Sequence, residues 1–178
     1  MPVPTETLIA VDPGPRQSAW VVLDIRSCAL RAFGLEPNAD VRTRLRTPPE
    51  PWRPVAHLAV EMVASYGMAV GKDVFETALA VGRFVEAWGG EHTLVYRREV
   101  KMSLCGRMTA KDTNIRQALI DLYPPTGGGK TPQIGTKNAP GPLYGVRQDI
   151  WAALAVGVTW MEERALWTPP AARAAMAE

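Results

Sequence analysis

The stretch Leu8-Ile9-Ala10-Val11-Asp12-Pro13-Gly14, taken with Leu58-Ala59-Val60-Glu61, decides the architecture. Each is a short apolar run that ends in a carboxylate. Apolar runs without polar alternation read as central strands of a sheet covered on both faces. An acid at the end of such a strand costs several kcal/mol unless something neutralises it, and a divalent metal ion is the natural neutraliser. A third acid, Asp149, opens the apolar helical pattern Asp149-Ile150-Trp151-Ala152-Ala153-Leu154-Ala155-Val156. Three acids from three distant segments can then converge on one cation.

Bulk properties agree with a single globular domain. The chain has 178 residues, of which 47% are hydrophobic and 21% charged, the balance of an ordinary soluble fold. The opening Met1-Pro2-Val3-Pro4-Thr5-Glu6 is polar and the apolar run after it stops at Asp12, which is not a secretory pattern. No run approaches the roughly 18 to 20 apolar residues of a membrane span, so a cytoplasmic protein without membrane contact is expected. Cys28 and Cys105 lack metal-ligand spacing and read as reduced thiols. The net charge is only +2, but cations cluster at Arg97, Arg98, Lys101, Arg107, Lys111, Arg116, Lys130 and Lys137, against Glu99, Asp112 and Asp121. Such an excess suits a phosphate-binding face, and a solvated surface of mixed charge is the alternative.

Read along the chain, the pattern is α/β. Strands are expected over Thr7 to Val11, Ser18 to Asp24 and Ala29 to Leu35, joined by turns short enough for an antiparallel meander. Residues 37 to 54 are broken by Pro37, Pro48, Pro49, Pro51 and Pro54, with a short helix over Ala39 to Leu45. A strand at Ala56 to Val60 is followed by a helix from Asp73 to Trp88, stopped by Gly89-Gly90, and by a short strand at Thr93 to Tyr96. A helix capped by Thr109 runs from Ala110 to Tyr123, and Pro124-Pro125 ends it. Residues 124 to 145 form a long Gly-, Lys- and Pro-rich loop, a final helix spans Gln148 to Leu166, and 167 to 178 is a Pro- and Ala-rich tail. One domain covers residues 1 to 178, with its core at about 7 to 166.

If the first and fourth strands are parallel neighbours, Asp12 and Glu61 emerge at one edge of the sheet, the carboxyl edge where open α/β sheets bind ligands. Carboxylates without His or Cys partners suit Mg²⁺, with Mn²⁺ as substitute, better than Zn²⁺. Two such ions about 4 Å apart activate water and stabilise the leaving oxygen of a phosphodiester. Taken singly, Asp12 is also a good turn residue and Asp149 a good helix N-cap. Glu61 has no such second use, because Glu is poor in strands and favours no turn.

The order of these motifs resembles the RuvC family of Holliday junction resolvases, in the RNase H-like superfamily, over roughly residues 7 to 165. Ile9-Ala10-Val11-Asp12-Pro13-Gly14 resembles the first-strand motif whose Asp binds metal. Val60-Glu61 with Ser65-Tyr66-Gly67-Met68 resembles the catalytic Glu and the loop that approaches the junction's exchange point. Val100-Lys101-Met102-Ser103-Leu104-Cys105-Gly106-Arg107-Met108-Thr109-Ala110-Lys111 is similar to the family's segment of two DNA-contacting lysines around a Gly. Asp149 with Ala152-Ala153-Leu154-Ala155 resembles the helix that supplies the remaining acids. The resemblance implies an RNase H-like fold, with a mixed five-stranded sheet flanked by helices. It also implies a carboxylate site of Asp12, Glu61 and Asp149 using Mg²⁺, and a homodimer cutting four-way or branched DNA by paired symmetric nicks.

In the same terms Lys101, Arg107, Lys111, Lys130 and Lys137 contact DNA, while Tyr66 and Met68 are wedges at the junction centre or packing residues of their loop. The helix from Asp73 to Trp88, with Phe75, Leu79 and Phe84, is either the dimer interface or a monomer core element. The insertion before Tyr144 is similar to that of small phage-encoded members, which implies a bacteriophage origin. One departure stands out. Family members place two metal-site side chains one helical turn apart on the last helix, whereas here Asp149 pairs with Ala152 in one register and with Val146 in the other, so the fourth ligand is missing or supplied by something else, such as water or Gln148. That leaves a catalytically silent branched-DNA-binding protein, or an RNase H-like nuclease acting on RNA or flaps, as alternatives. Actin-like ATPases share the strand ending in Asp-x-Gly but need about twice this length.

Overall fold

The computed structural model describes residues 6–166, 168 and 169. Five strands form one sheet: β1 (Thr7–Asp12), β2 (Gln17–Asp24), β3 (Leu30–Pro37), β4 (Val55–Met62) and β5 (His92–Tyr96). Their spatial order is β3-β2-β1-β4-β5. The first three pair antiparallel, as their short turns require, whereas β4 lies parallel to β1 and β5 parallel to β4. This is the mixed five-stranded sheet that the resemblance implied.

Alternation along β1 explains why the run has no polar face. Leu8 and Ala10 belong to one core and Ile9 and Val11 to another. The first core is closed by α3 (Arg97–Cys105), α4 (Asp112–Asp121) and α5 (Ile150–Glu163), and the second by α1 (Asn38–Arg46) and α2 (Lys72–Trp88). Both faces of the sheet are therefore dry, and both pleats must be apolar.

Helix α5 approaches β1 unusually closely at Gly157, where an added Cβ would lie 2.6 Å from Leu23 Cδ1 and 3.1 Å from Ala10 Cβ. Replacing Gly157 by Val overfills this contact and is expected to cost roughly 1–3 kcal/mol. Urea unfolding measures it, and an unchanged midpoint would mean that α5 stands off the sheet.

Three elements differ from expectation. Helix α3 occupies a segment read only as a basic stretch: Glu99 Oε2 accepts the Tyr96 N–H at 2.6 Å to start it, and Gly106, at φ 65°, stops it. Helix α4 begins at Asp112 rather than Ala110, because Asn114 Oδ1 accepts the Lys111 N–H at 2.9 Å and Thr109 is not the cap. Helix α5 begins at Ile150 rather than Gln148, since Gln148 is left-handed at φ 47°. The tail 167–178 lies outside the described residues except for Thr168 and Pro169.

The loop of 124–145 has no helix or strand, as expected, yet it is closely knit. Gly127 N–H donates to Pro132 O and Gly128 N–H to Ala139 O, each at 2.8 Å, while Leu143 N–H donates to Gln133 O at 2.9 Å. A Cβ on Gly135 would lie 2.2 Å from Gly141 N, so only glycine allows these turns to nest. Leu143 and Val146 anchor the loop in the core.

Helix α2 also divides differently from its apolar pattern. Phe84 is 1% exposed and belongs to the core, whereas Phe75 and Leu79 are 65% and 54% exposed. Cys28 is buried and Cys105 half-buried, both as thiols. Among the described residues no helix is long and apolar enough to cross a membrane.

Candidate carboxylate site and basic face

Asp12 ends β1, and Glu61 is the penultimate residue of β4. Since Val11 pairs with Val60 in a parallel register, the two acids stand side by side at the carboxyl edge. They also share a face. Asp12 lies two residues beyond Ala10 and Glu61 two beyond Ala59, and both alanines pack in the core beneath α5. The turn after Asp12 is braced, with Ser18 Oγ accepting the Gly14 N–H at 3.2 Å and Asn38 Nδ2 donating to Gly14 O at 2.9 Å.

The pair is electrostatically strained. Burial, then the neighbouring Glu61 and Asp149, push the Asp12 carboxyl up to about 8, with the Arg97 guanidinium opposing. Burial also raises Glu61, against the pull of Arg97. Both acids are thus held above the usual carboxylate range, and with no cation bound the pair resists giving up its last proton. Two adjacent carboxylates that resist ionising together form a donor set suited to a hard divalent cation, which would keep both charged.

Asp149 stands at the N-cap position of α5, without a side-chain capping hydrogen bond, and is exposed. It acts on Asp12 through its charge but is not among the residues lining the cavity over Asp12 and Glu61. Among the described residues, no three acidic, His or Cys side chains stand close enough together to encircle an ion. Mg²⁺ does not require such a cage, because it keeps most of its waters and is commonly held by one or two carboxylates plus substrate phosphate.

The cavity, about 310 Å³, is lined by Asp12, Glu61, Met62, Tyr66, Val74 and Arg97 among others. Arg97 is a site residue that sequence reasoning counted only as part of the basic stretch. It follows Tyr96, which pairs with Met62 next to Glu61, so the β4/β5 register sets it beside that carboxylate. Its Nη1 lies 3.7 Å from Glu61 Oε2, and its Nη2 donates to Asp112 Oδ1. The cue in the sequence was a cation immediately after a strand at the carboxyl edge.

The other predicted residues occupy the surroundings. Tyr66 and Met68 form the tip of the β4–α2 loop, where the Met68 N–H donates to Ser65 O at 2.9 Å, and both are exposed. Tyr66 reaches the cavity, whereas Met68 does not line it. Lys101 is half-buried on α3, Arg107 and Lys111 are exposed between α3 and α4, and Lys130 and Lys137 are exposed on the glycine-rich loop. Among the described residues none of these five cations is in an ion pair.

No protein-family model matches the chain, and no curated protein matches it. Solved structures do. A Thermus thermophilus RuvC structure aligns with a TM-score of 0.64 at 16% identity, covering 89% of this chain and 96% of that one. The T. thermophilus RuvC in complex with a Holliday junction substrate aligns with a TM-score of 0.62 at 18% identity, covering 89% and 95%. These likenesses establish an RNase H-like fold of the RuvC kind.

Proposed function

We propose that this protein is a metal-dependent, structure-specific endodeoxyribonuclease that resolves Holliday junctions and other branched DNA by paired symmetric nicks. The observation that carries the reading is the Asp12–Glu61 pair, electrostatically strained in an open cleft at the carboxyl edge of a sheet whose fold matches RuvC. Asp12, Glu61 and Asp149 are assigned to Mg²⁺, or Mn²⁺ in its place, with Asp149 closing from the head of α5. When bound, the ion supplies a water nucleophile of lowered pKa and stabilises the leaving oxygen. For both carboxylates to serve, the pair gives up the proton that it shares. Tyr66, at the cavity's rim, is placed to stack on an unpaired base, and Met68 beside it can wedge a base step.

Lys101, Arg107 and Lys111 on one side, with Lys130 and Lys137 on the compact loop, are assigned to backbone phosphates. From residue 122 to 148 the chain carries Lys130, Lys137 and Arg147 and no acid, which supports a phosphate-facing surface. Replacing Lys101 and Lys111 together by Ala is expected to weaken junction binding and reduce the slope of log affinity against log salt by about 1 to 2. A titration series between low and moderate salt tests this, and an unchanged slope removes both lysines from the interface.

Paired cuts call for two active sites, so the protein acts as a homodimer. The exposed Phe75 and Leu79, four residues apart on α2, support that face as the interface. Sedimentation of a monomer at assay concentrations would remove the dimer. A bacteriophage origin and a cytoplasmic site of action complete the reading.

A second reading, a silent branched-DNA-binding protein, draws on one observation. Ala152 and Val146, the positions where another acid would stand on or before α5, offer no oxygen, and Asp149 is outside the cavity. Cleavage of a synthetic four-way junction, beside duplex, flap and RNA–DNA hybrid, with Mg²⁺, Mn²⁺ or EDTA, separates the readings. Symmetric nicks in the junction alone, lost with EDTA, are expected. Tight junction binding without any cleavage would establish the silent protein, and cleavage of the hybrid or flap would redirect the substrate.

A further inference from the structure

We propose that Arg97 takes the electrostatic place of a second metal ion, making this a site for one divalent cation and one guanidinium. The inference rests on the reading above, that Asp12 and Glu61 hold a divalent ion.

Three features carry it. First, the donor set is short: two acids, Asp12 and Glu61, line the cavity, and Asp149 at the head of α5 is exposed outside it. Second, a fixed cation already stands in the cavity. Arg97 lines it with Asp12 and Glu61, its Nη1 is 3.7 Å from Glu61 Oε2, and its Nη2 is held by Asp112 at the start of α4. A guanidinium with one nitrogen anchored and another turned to a carboxylate is oriented before substrate arrives, and its remaining N–H groups suit a phosphate oxygen. Third, the cavity already holds one positive charge: a second divalent ion beside Arg97 would add like charge within a few ångströms.

On this assignment Arg97 serves two ends. It lowers the affinity of the site for further cations, and it places a fixed positive charge where negative charge grows on the phosphodiester during attack. Donors already oriented toward developing charge are worth about 10² to 10³ in rate. Unlike an ion, a guanidinium cannot be lost to a chelator, so the second charge is independent of metal concentration.

Calorimetric titration of Mn²⁺ into the full-length, DNA-free protein tests the assignment, with Arg97→Gln and Arg97→Lys beside the wild type. The wild type and Arg97→Lys are expected to bind one ion per protomer. Arg97→Gln is expected to bind a second, or to hold the first about tenfold more tightly once the repulsion is gone. In junction cleavage, Arg97→Gln is expected to lose about 100-fold at low metal and to change from a first-order to a second-order dependence on metal concentration. Two ions bound by the wild type, or no change in stoichiometry and affinity in Arg97→Gln, would overturn this inference and leave metal-dependent cleavage standing. Absence of both ion binding and cleavage in the wild type would overturn the inference and the proposed function together.

Discussion

Replacing Asp12 by Asn is expected to lower metal-dependent junction cleavage by far more than 100-fold while leaving junction binding close to that of the wild type. The side chain keeps its size and its place at the end of β1, so the fold should survive. What is lost is one of the two carboxyl groups that line the cleft, and Asn cannot supply the negative charge that holds a hard cation. Even outer partners of metal ligands are worth about 10- to 100-fold in metal affinity or activity, so loss of a ligand itself should exceed that. Glu61→Gln should behave alike, because it removes the other member of the same pair. Binding persists in both because phosphate contacts are assigned to Lys101, Arg107, Lys111, Lys130 and Lys137, at other places on the surface. Cleavage near the wild-type rate by either variant would remove that carboxylate from the chemistry.

The second large effect is on stability. In the metal-free protein the Asp12 carboxyl is raised from 3.8 to about 8, chiefly by burial. Below pH about 4 the group is neutral whether the chain is folded or not, and its favourable contribution to folding is fully present. Between about 4 and 8 the unfolded chain ionises while the folded one keeps the proton. Stability from this group is then lost as pH rises, by up to about 1.4 kcal/mol per pH unit. Above about 8 the loss is complete. Glu61 is raised as well and acts in the same direction.

Asp12→Asn removes this titration. The variant is therefore expected to be more stable than the metal-free wild type at pH 8, by a few kcal/mol, with the difference shrinking toward pH 5. Mg²⁺ or Mn²⁺ should reverse the order by binding the wild type alone, and the gain in melting temperature should be larger at pH 8 than at pH 6, because the ion competes with the proton. Chemical unfolding of both proteins across pH 5 to 8, with EDTA and with Mn²⁺, measures both statements. A wild type and variant that differ equally at every pH would show that Asp12 is not perturbed.

Much of the architecture, and the meeting of Asp12 with Glu61, was legible in the residues. Leu8 to Val11 and Leu58 to Val60 are apolar at every position, which only a sheet covered on both sides demands. The acids at their ends follow from that reading, since two parallel strands with paired apolar runs bring their last residues together. Glu61 was the clearest single signal, a strand-poor residue without a use in a turn.

Other features were closed to that reasoning. Helix α3 is short and charged, its apolar stripe amounts to Val100, Leu104 and Cys105, and its ends are set by the reach of Glu99 and the stop at Gly106. On α2 a wheel of apolar residues does not say that Phe84 turns inward while Phe75 and Leu79 turn out, because that depends on where α1 and β4 lie. Gln148 takes a left-handed conformation for which its residue type gives no cue, and it delays α5 so that Asp149 stands at the N-cap position, exposed, instead of lining the cavity.

What the chain's residues settled was the local alternation: which segments are strands, which edge carries acids, and which stretch is basic. These depend on the chemistry of neighbours in sequence and on a repeat of two or three to four residues. The partnership of Arg97 with Glu61 and Asp112, the exposure of Asp149 and the nesting of the glycine-rich loop were decided by the fold alone. Each depends on the register between segments far apart in the chain, and register is fixed by the packing of the whole core rather than by any one stretch of it.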